Sequence, residues 1–98
     1  DAAWEARKAA AKGRTSSLDG IAYSLSSVAR SAKVISRART RGVGVKLADE
    51  PITAAETGDQ LVTLIARAQA SGVDADQALR DRLRDLEDEI RKAECRTD

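Results

Sequence analysis

Three stretches of this chain carry apolar residues at intervals of three and four, which is the spacing of one face of an α-helix. Ile21, Leu25, Val28, Ala32 and Ile35 form the first seam, predicting an amphipathic helix over 21–40 that ends at Gly42 and Gly44. Leu61, Leu64, Ile65 and Ala68 form the second. Thr53 followed three residues later by Glu56 reads as the capping box that opens this helix, and the run SGV at 71–73 as its end. Leu79, Leu83, Leu86, Ile90 and Ala93 form the third, on a helix opened by Asp74 with Gln77 three residues on. Arg80, Asp81, Arg84, Asp85, Asp88, Glu89 and Arg91 interleave along its outer face as solvated partners. A fourth, short helix is expected over 2–12, where AAWEARKAAAK is rich in strong helix formers and stops at Gly13, with Trp4 as its packing anchor. No strand pattern and no internal repeat is evident, so the expected fold class is all-α.

The seams are narrow, and little large apolar material is present to widen them. The 98 residues include no Phe, no Met, one Trp and one Tyr. One domain of this size sits near the limit at which a single core suffices. Helices lined with alanine and a few aliphatic residues bury little as a monomer. The expected architecture is therefore an antiparallel bundle of three main helices plus the short N-terminal one, completed by homodimerisation into a four-helix-type core.

Composition also removes chemistry. With no His and one Cys, the chain cannot build a zinc site, a catalytic triad or a thiol–imidazole dyad. Cys95 has no internal disulfide partner and reads as a free thiol of a reducing cytoplasm. No segment resembles a signal peptide or a membrane span. The start at DAAWEARK, without Met, suggests a C-terminal fragment of a longer chain, folded as one domain over 1–98.

Charge divides the chain. Residues 1–48 hold ten Lys or Arg against three acids, and residues 49–98 hold seven against thirteen. The asymmetry fits either a nucleic-acid surface on the basic half or packing of the two halves against each other. With no aromatic placed for base stacking, packing is the better reading. Arg30, Lys33, Arg37 and Arg41 form a basic stripe at helical spacing, read as a partner for the acidic last helix and alternatively as a phosphate- or nucleotide-binding face. Glu56 and Asp59 share one helix face and could together hold a divalent cation, yet a capping role for Glu56 is equally at hand.

Two segments resemble a known family. WEARKAAAKGRTSSLDGIAYSLSSVARSAKVISRA, residues 4–38, is similar to the start of the C-terminal domain of MazG-type nucleoside triphosphate pyrophosphohydrolases, with a WExxK-like stretch, an S-x-LDGIP-like turn and an R-A-x-K helix. ETGDQLVTLIARAQASGVDADQALRDRLRDLEDEIRKAE, residues 56–94, resembles the family's E-x-G-D-L-L-F … N-L-A-R … G-(V/I)-D-P-E-E-A-L run. The resemblance implies an all-α dimer that hydrolyses nucleoside triphosphates to monophosphate and pyrophosphate. It also implies magnesium held by an E-E-x-x-E-like group and an E-x-x-D pair on successive helices, which here carries over to Glu56 and Asp59.

The chain departs from that pattern in two places. Between the VISRARTRGVG stretch and ETGD only the adjacent acids Asp49 and Glu50 occur, ahead of Pro51, and no Asp or Glu lies between Ile21 and Ala48. In the last helix, Leu83, Asp85, Asp88 and Glu89 stand where the family's Asn, Lys and paired Arg are expected. The expected function is a degenerate domain that dimerises and supports an upstream catalytic domain, binding no magnesium by itself. The alternatives are an active enzyme whose site is completed across a dimer, and a helical nucleic-acid or protein adaptor.

Overall fold

The computed structural model describes residues 16–96. The expected helix over 2–12 and its anchor Trp4 lie outside these residues. Among them are three helices and no strand: α1 (Ser27–Thr40), α2 (Ala54–Ala70) and α3 (Ala75–Arg96). The described chain is all-α.

α1 and α3 form the packed unit. Ser27 meets Asp76 at one end, Arg30 meets Glu87 further along, and Arg41 lies near Glu94 at the other, so the two helices run in the same general direction. Val34 and Ala38 of α1 are buried against Leu83, Leu86 and Ile90 of α3, with Leu18 and Ile21 closing the cluster from the preceding turns. Leu25, Ile35, Val43, Val45 and Leu47 pack around this cluster.

The first helix begins later than its apolar spacing suggests. Residues 17–25 form turns, and the hydroxyl of Ser26 caps α1 by accepting from the backbone N–H of Ala29. Ile21 and Leu25 still enter the core, but from those turns and not from a helical seam. The buried stripe of α1 is then Ser27, Arg30, Val34 and Ala38, while Val28 and Ala32 face solvent. The expected seam was rotated because its first two members are not helical.

Both αL exits follow from glycine. Gly42 has φ 63° and Gly72 has φ 71°, a conformation that costs a residue with a Cβ about 1 kcal/mol or more. After α1, the N–H of Gly42 bonds to Arg39 O and that of Val43 to Ala38 O; after α2, Gly72 bonds to Gln69 O and Val73 to Ala68 O. These paired bonds are the Schellman closure, which satisfies carbonyls the helix leaves open. Between the first exit and α2 the chain is irregular: Val43, Val45 and Leu47 lie half-buried, while Gly44, Lys46 and Ala48 are exposed. The N–H of Val45 bonds back to Val43 O, and Arg39 ties the segment down by donating to Ala48 O.

α2 does not join the core. None of its residues is buried, and Leu61, Val62, Leu64 and Ile65 are 40–68% exposed. The expectation that Leu61, Leu64, Ile65 and Ala68 are buried is therefore not met within one chain. Their face is apolar, as the spacing requires, but α2 leaves the packed pair and presents that face outward. The described residues extend over 56 × 27 × 24 Å.

Candidate functional site

Glu56 and Asp59 stand in the first turns of α2, both exposed. The Thr53 hydroxyl accepts from the Glu56 N–H at 3.1 Å and donates to Glu56 Oε1 at 2.9 Å, so the carboxylate is held by its own cap. Asp59 lines a shallow groove of about 380 Å³ with Gln60, Thr63, Leu64 and Arg67, all residues of the same helix. Asp49 and Glu50 lie exposed ahead of Pro51. Among the described residues no three or more Asp, Glu or Cys converge in a group able to hold a metal ion. At 100° per residue, Glu56 and Asp59 sit roughly 130–170° around α2 from the centre of its Leu61, Leu64 and Ile65 face. The centre of the apolar face thus lies away from the carboxylates, while Leu64 at its edge shares the groove with Asp59.

The basic stripe of α1 is divided by the fold. Arg30 is buried, and its guanidinium pairs with the Glu87 carboxylate at 3.0 Å, with the two side chains 7% and 8% exposed. Arg37 is half-buried and donates to the carbonyls of Ser17 and Asp19, each at 2.9 Å. Lys33 and Arg41 face solvent. Arg30 thus joins the acidic last helix, as the packing reading of the charge asymmetry requires.

Two carboxylates of α3 tie it to the rest of the chain, Asp76 to the start of α1 and Glu94 to the turn that precedes α1. Asp76 accepts from the hydroxyl of Ser27 and from Arg80 Nε, and these two bonds hold its carboxyl below the usual range. At the other end Glu94 accepts from Ser16 Oγ at 2.7 Å and from the Ser17 N–H at 2.8 Å. Burial pushes the Glu94 carboxyl up, but its hydrogen bonds from Ser16 and Ser17, with Arg41 nearby, outweigh burial and leave it below its ordinary value.

One grouping escaped the sequence reading. Arg80, Arg84, Glu87 and Arg91 recur at steps of four, three and four along α3, which stacks them on one face. With Tyr23, Arg30 and Leu83 they line a groove of about 300 Å³. The spacing was legible, but these arginines were read as solvated partners of neighbouring acids. Tyr23 carried no helical pattern to place it.

The chain is similar to an uncharacterised 26.1 kDa protein in the blaB 3′ region of Streptomyces cacaoi, 36% identical over 95 residues. The match covers 96% of this chain and 38% of the relative, so the chain spans well under half of the curated protein it matches. No family model matches the sequence. No solved structure matches it either.

Proposed function

We propose that this is a degenerate MazG-type domain of a cytoplasmic protein, which pairs as a homodimer and supports a catalytic domain carried upstream in the same polypeptide. The proposal rests first on the two family-like segments at 4–38 and 56–94. The observation that carries it further is the lone E-x-x-D pair. Glu56 and Asp59 have no converging third carboxylate among the described residues, and Glu56 already serves the α2 cap. Magnesium takes about six oxygen ligands in near-octahedral order, and two exposed carboxylates on one helix supply too few to hold it against water.

The homodimer reading is supported by α2. None of its residues is buried, so its apolar face gains little support among the described residues, and a second copy of the chain seated there would supply the missing contact. A partner centred on Leu61 and Ile65 lies away from Glu56 and Asp59, which weakens the alternative of an active enzyme with a site completed across the dimer. The adaptor alternative loses two members of its basic stripe, since Arg30 and Arg37 are engaged within the chain. No helix of the described residues is long and apolar enough to cross a membrane.

The test is pyrophosphate release from the common nucleoside triphosphates by this chain, with magnesium or manganese. The expected result is no metal-dependent release above buffer. Robust turnover abolished by Asp59→Ala would refute the degenerate assignment.

A further inference from the structure

The apolar face of α2 has a pattern that the core of the chain does not use. Leu61, Val62, Leu64 and Ile65 are all exposed, and Ile52 and Val73, just beyond the two ends of the helix, are exposed as well. Gly58, Leu61, Ile65 and Ala68 follow one another at steps of three, four and three, the seam spacing of a helix that packs on another helix. The positions flanking this seam are Ala55, Val62 and Gln69 on one side and Thr57 and Leu64 on the other, and none carries a charge.

Gly58 adds a second observation. It lies inside α2, where glycine weakens a helix relative to alanine. A Cβ at this position would meet nothing within 4 Å, so no contact among the described residues calls for its absence. A second helix approaching closely does call for it. The seam is also symmetric in size about Thr63: Gly58 and Ala68 are its small members, and Leu61 and Ile65 the large members between them. Reversed end for end, it matches itself, small against small and large against large. Such a surface is complementary to its own copy, as a twofold interface requires.

We infer that α2 packs antiparallel on α2 of a second copy about a twofold axis at Thr63, with Gly58 facing the copy's Ala68 and Leu61 facing its Ile65. This arrangement presupposes the homodimer and adds its orientation and register. Charge selects the orientation. Glu56 and Asp59 lie in the first turns of α2 and Arg67 in its last. In the antiparallel register Asp59 stands level with the copy's Arg67 and the helix dipoles oppose, whereas parallel pairing sets like charges and like helix ends side by side. The chain path agrees. α3 starts at Ala75, directly after the turn at 71–74, so the α1–α3 core is carried from the C-terminal end of α2. Antiparallel copies hold these cores at opposite ends of the pair. Covering Leu61, Val62, Leu64 and Ile65 together with Ile52 and Val73 removes on the order of 1,000 Å² from water over two copies, about what a specific interface needs.

Spin labels on single cysteines, Ala55→Cys or Gln69→Cys, read the geometry by pulsed dipolar spectroscopy of the whole chain. The exposed Cys95 is replaced in both by Cys95→Ser. With a rise of 1.5 Å per residue from the axis and helices 8–10 Å apart, the expected separations are about 25 Å at position 55 and about 20 Å at 69. Separations below about 15 Å at both positions would leave the homodimer standing and overturn the antiparallel orientation. No dipolar coupling at either position, with a monomeric mass, would overturn the homodimer and this arrangement with it. Gly58→Leu tests the close approach. It should keep or raise the helical circular dichroism, since leucine is the better helix former, and weaken self-association about tenfold or more. Self-association unchanged in this variant would overturn the register.

Discussion

Arg30 and Glu87 pair between the two packed helices with side chains only 7% and 8% exposed. Removing two ions from solvent is costly, and their mutual attraction offsets that cost only while both are present. The compensation here is partial, because Arg30 Nε is buried with no acceptor. Replacing one partner strands the other. Arg30→Met is therefore expected to destabilise the domain by about 3–5 kcal/mol, whereas Arg30→Met with Glu87→Leu should recover most of that loss. Urea denaturation of the two variants and the parent measures both figures, and a double variant no more stable than the single one would show that the pair contributes a net attraction. The charge asymmetry directed this arginine to the acidic last helix, but spacing alone did not single out Glu87 among that helix's acids.

The helices themselves were legible where a local chemical signal fixed them. Thr53 caps α2, Asp74 accepts from the Gln77 N–H at the start of α3, and Gly42 and Gly72 supply the αL exits. The leucine seam of α3 became the core at Leu83, Leu86 and Ile90. The beginning of α1 was not legible, because Ile21 and Leu25 keep a helical interval while sitting in turns. A period shared by chance between a turn and a helix cannot be separated by spacing alone. The alternation of Val43, Val45 and Leu47 was likewise hidden inside a segment rich in loop residues. The Schellman exit of α1 carries its own prediction. Gly42→Ala forces a Cβ into φ 63°, and should cost about 1 kcal/mol, read as a lower thermal midpoint. Gly44→Ala, at a glycine without positive φ and with open space around it, should cost less.

At the scale of the whole molecule, the question is why so polar a chain keeps the apolar face of α2 in view. One small core joins α1, α3 and the turns at 17–25, and it leaves the second seam uncovered. Sequence reasoning reached the seam but placed Leu61, Leu64 and Ile65 inside the monomer's own bundle, whereas they are exposed. The short connection between α2 and α3 brings the two helices together only near their turn, so the seam faces outward. Glu56 and Asp59 were legible as two acids on one face of α2. That no third acid joins them among the described residues reflects the absence of acids between Ile21 and Ala48, which is a property of the sequence, and the outward placement of α2, which is not.

Pairing through α2 is the claim on which the proposed role most depends, and sedimentation equilibrium of the chain beside its Leu64→Glu variant measures it directly. The account predicts a dimer for the parent, a monomer for the variant, and helical circular dichroism in both. A parent that remains monomeric at high concentration, or a variant that still dimerises, would contradict it.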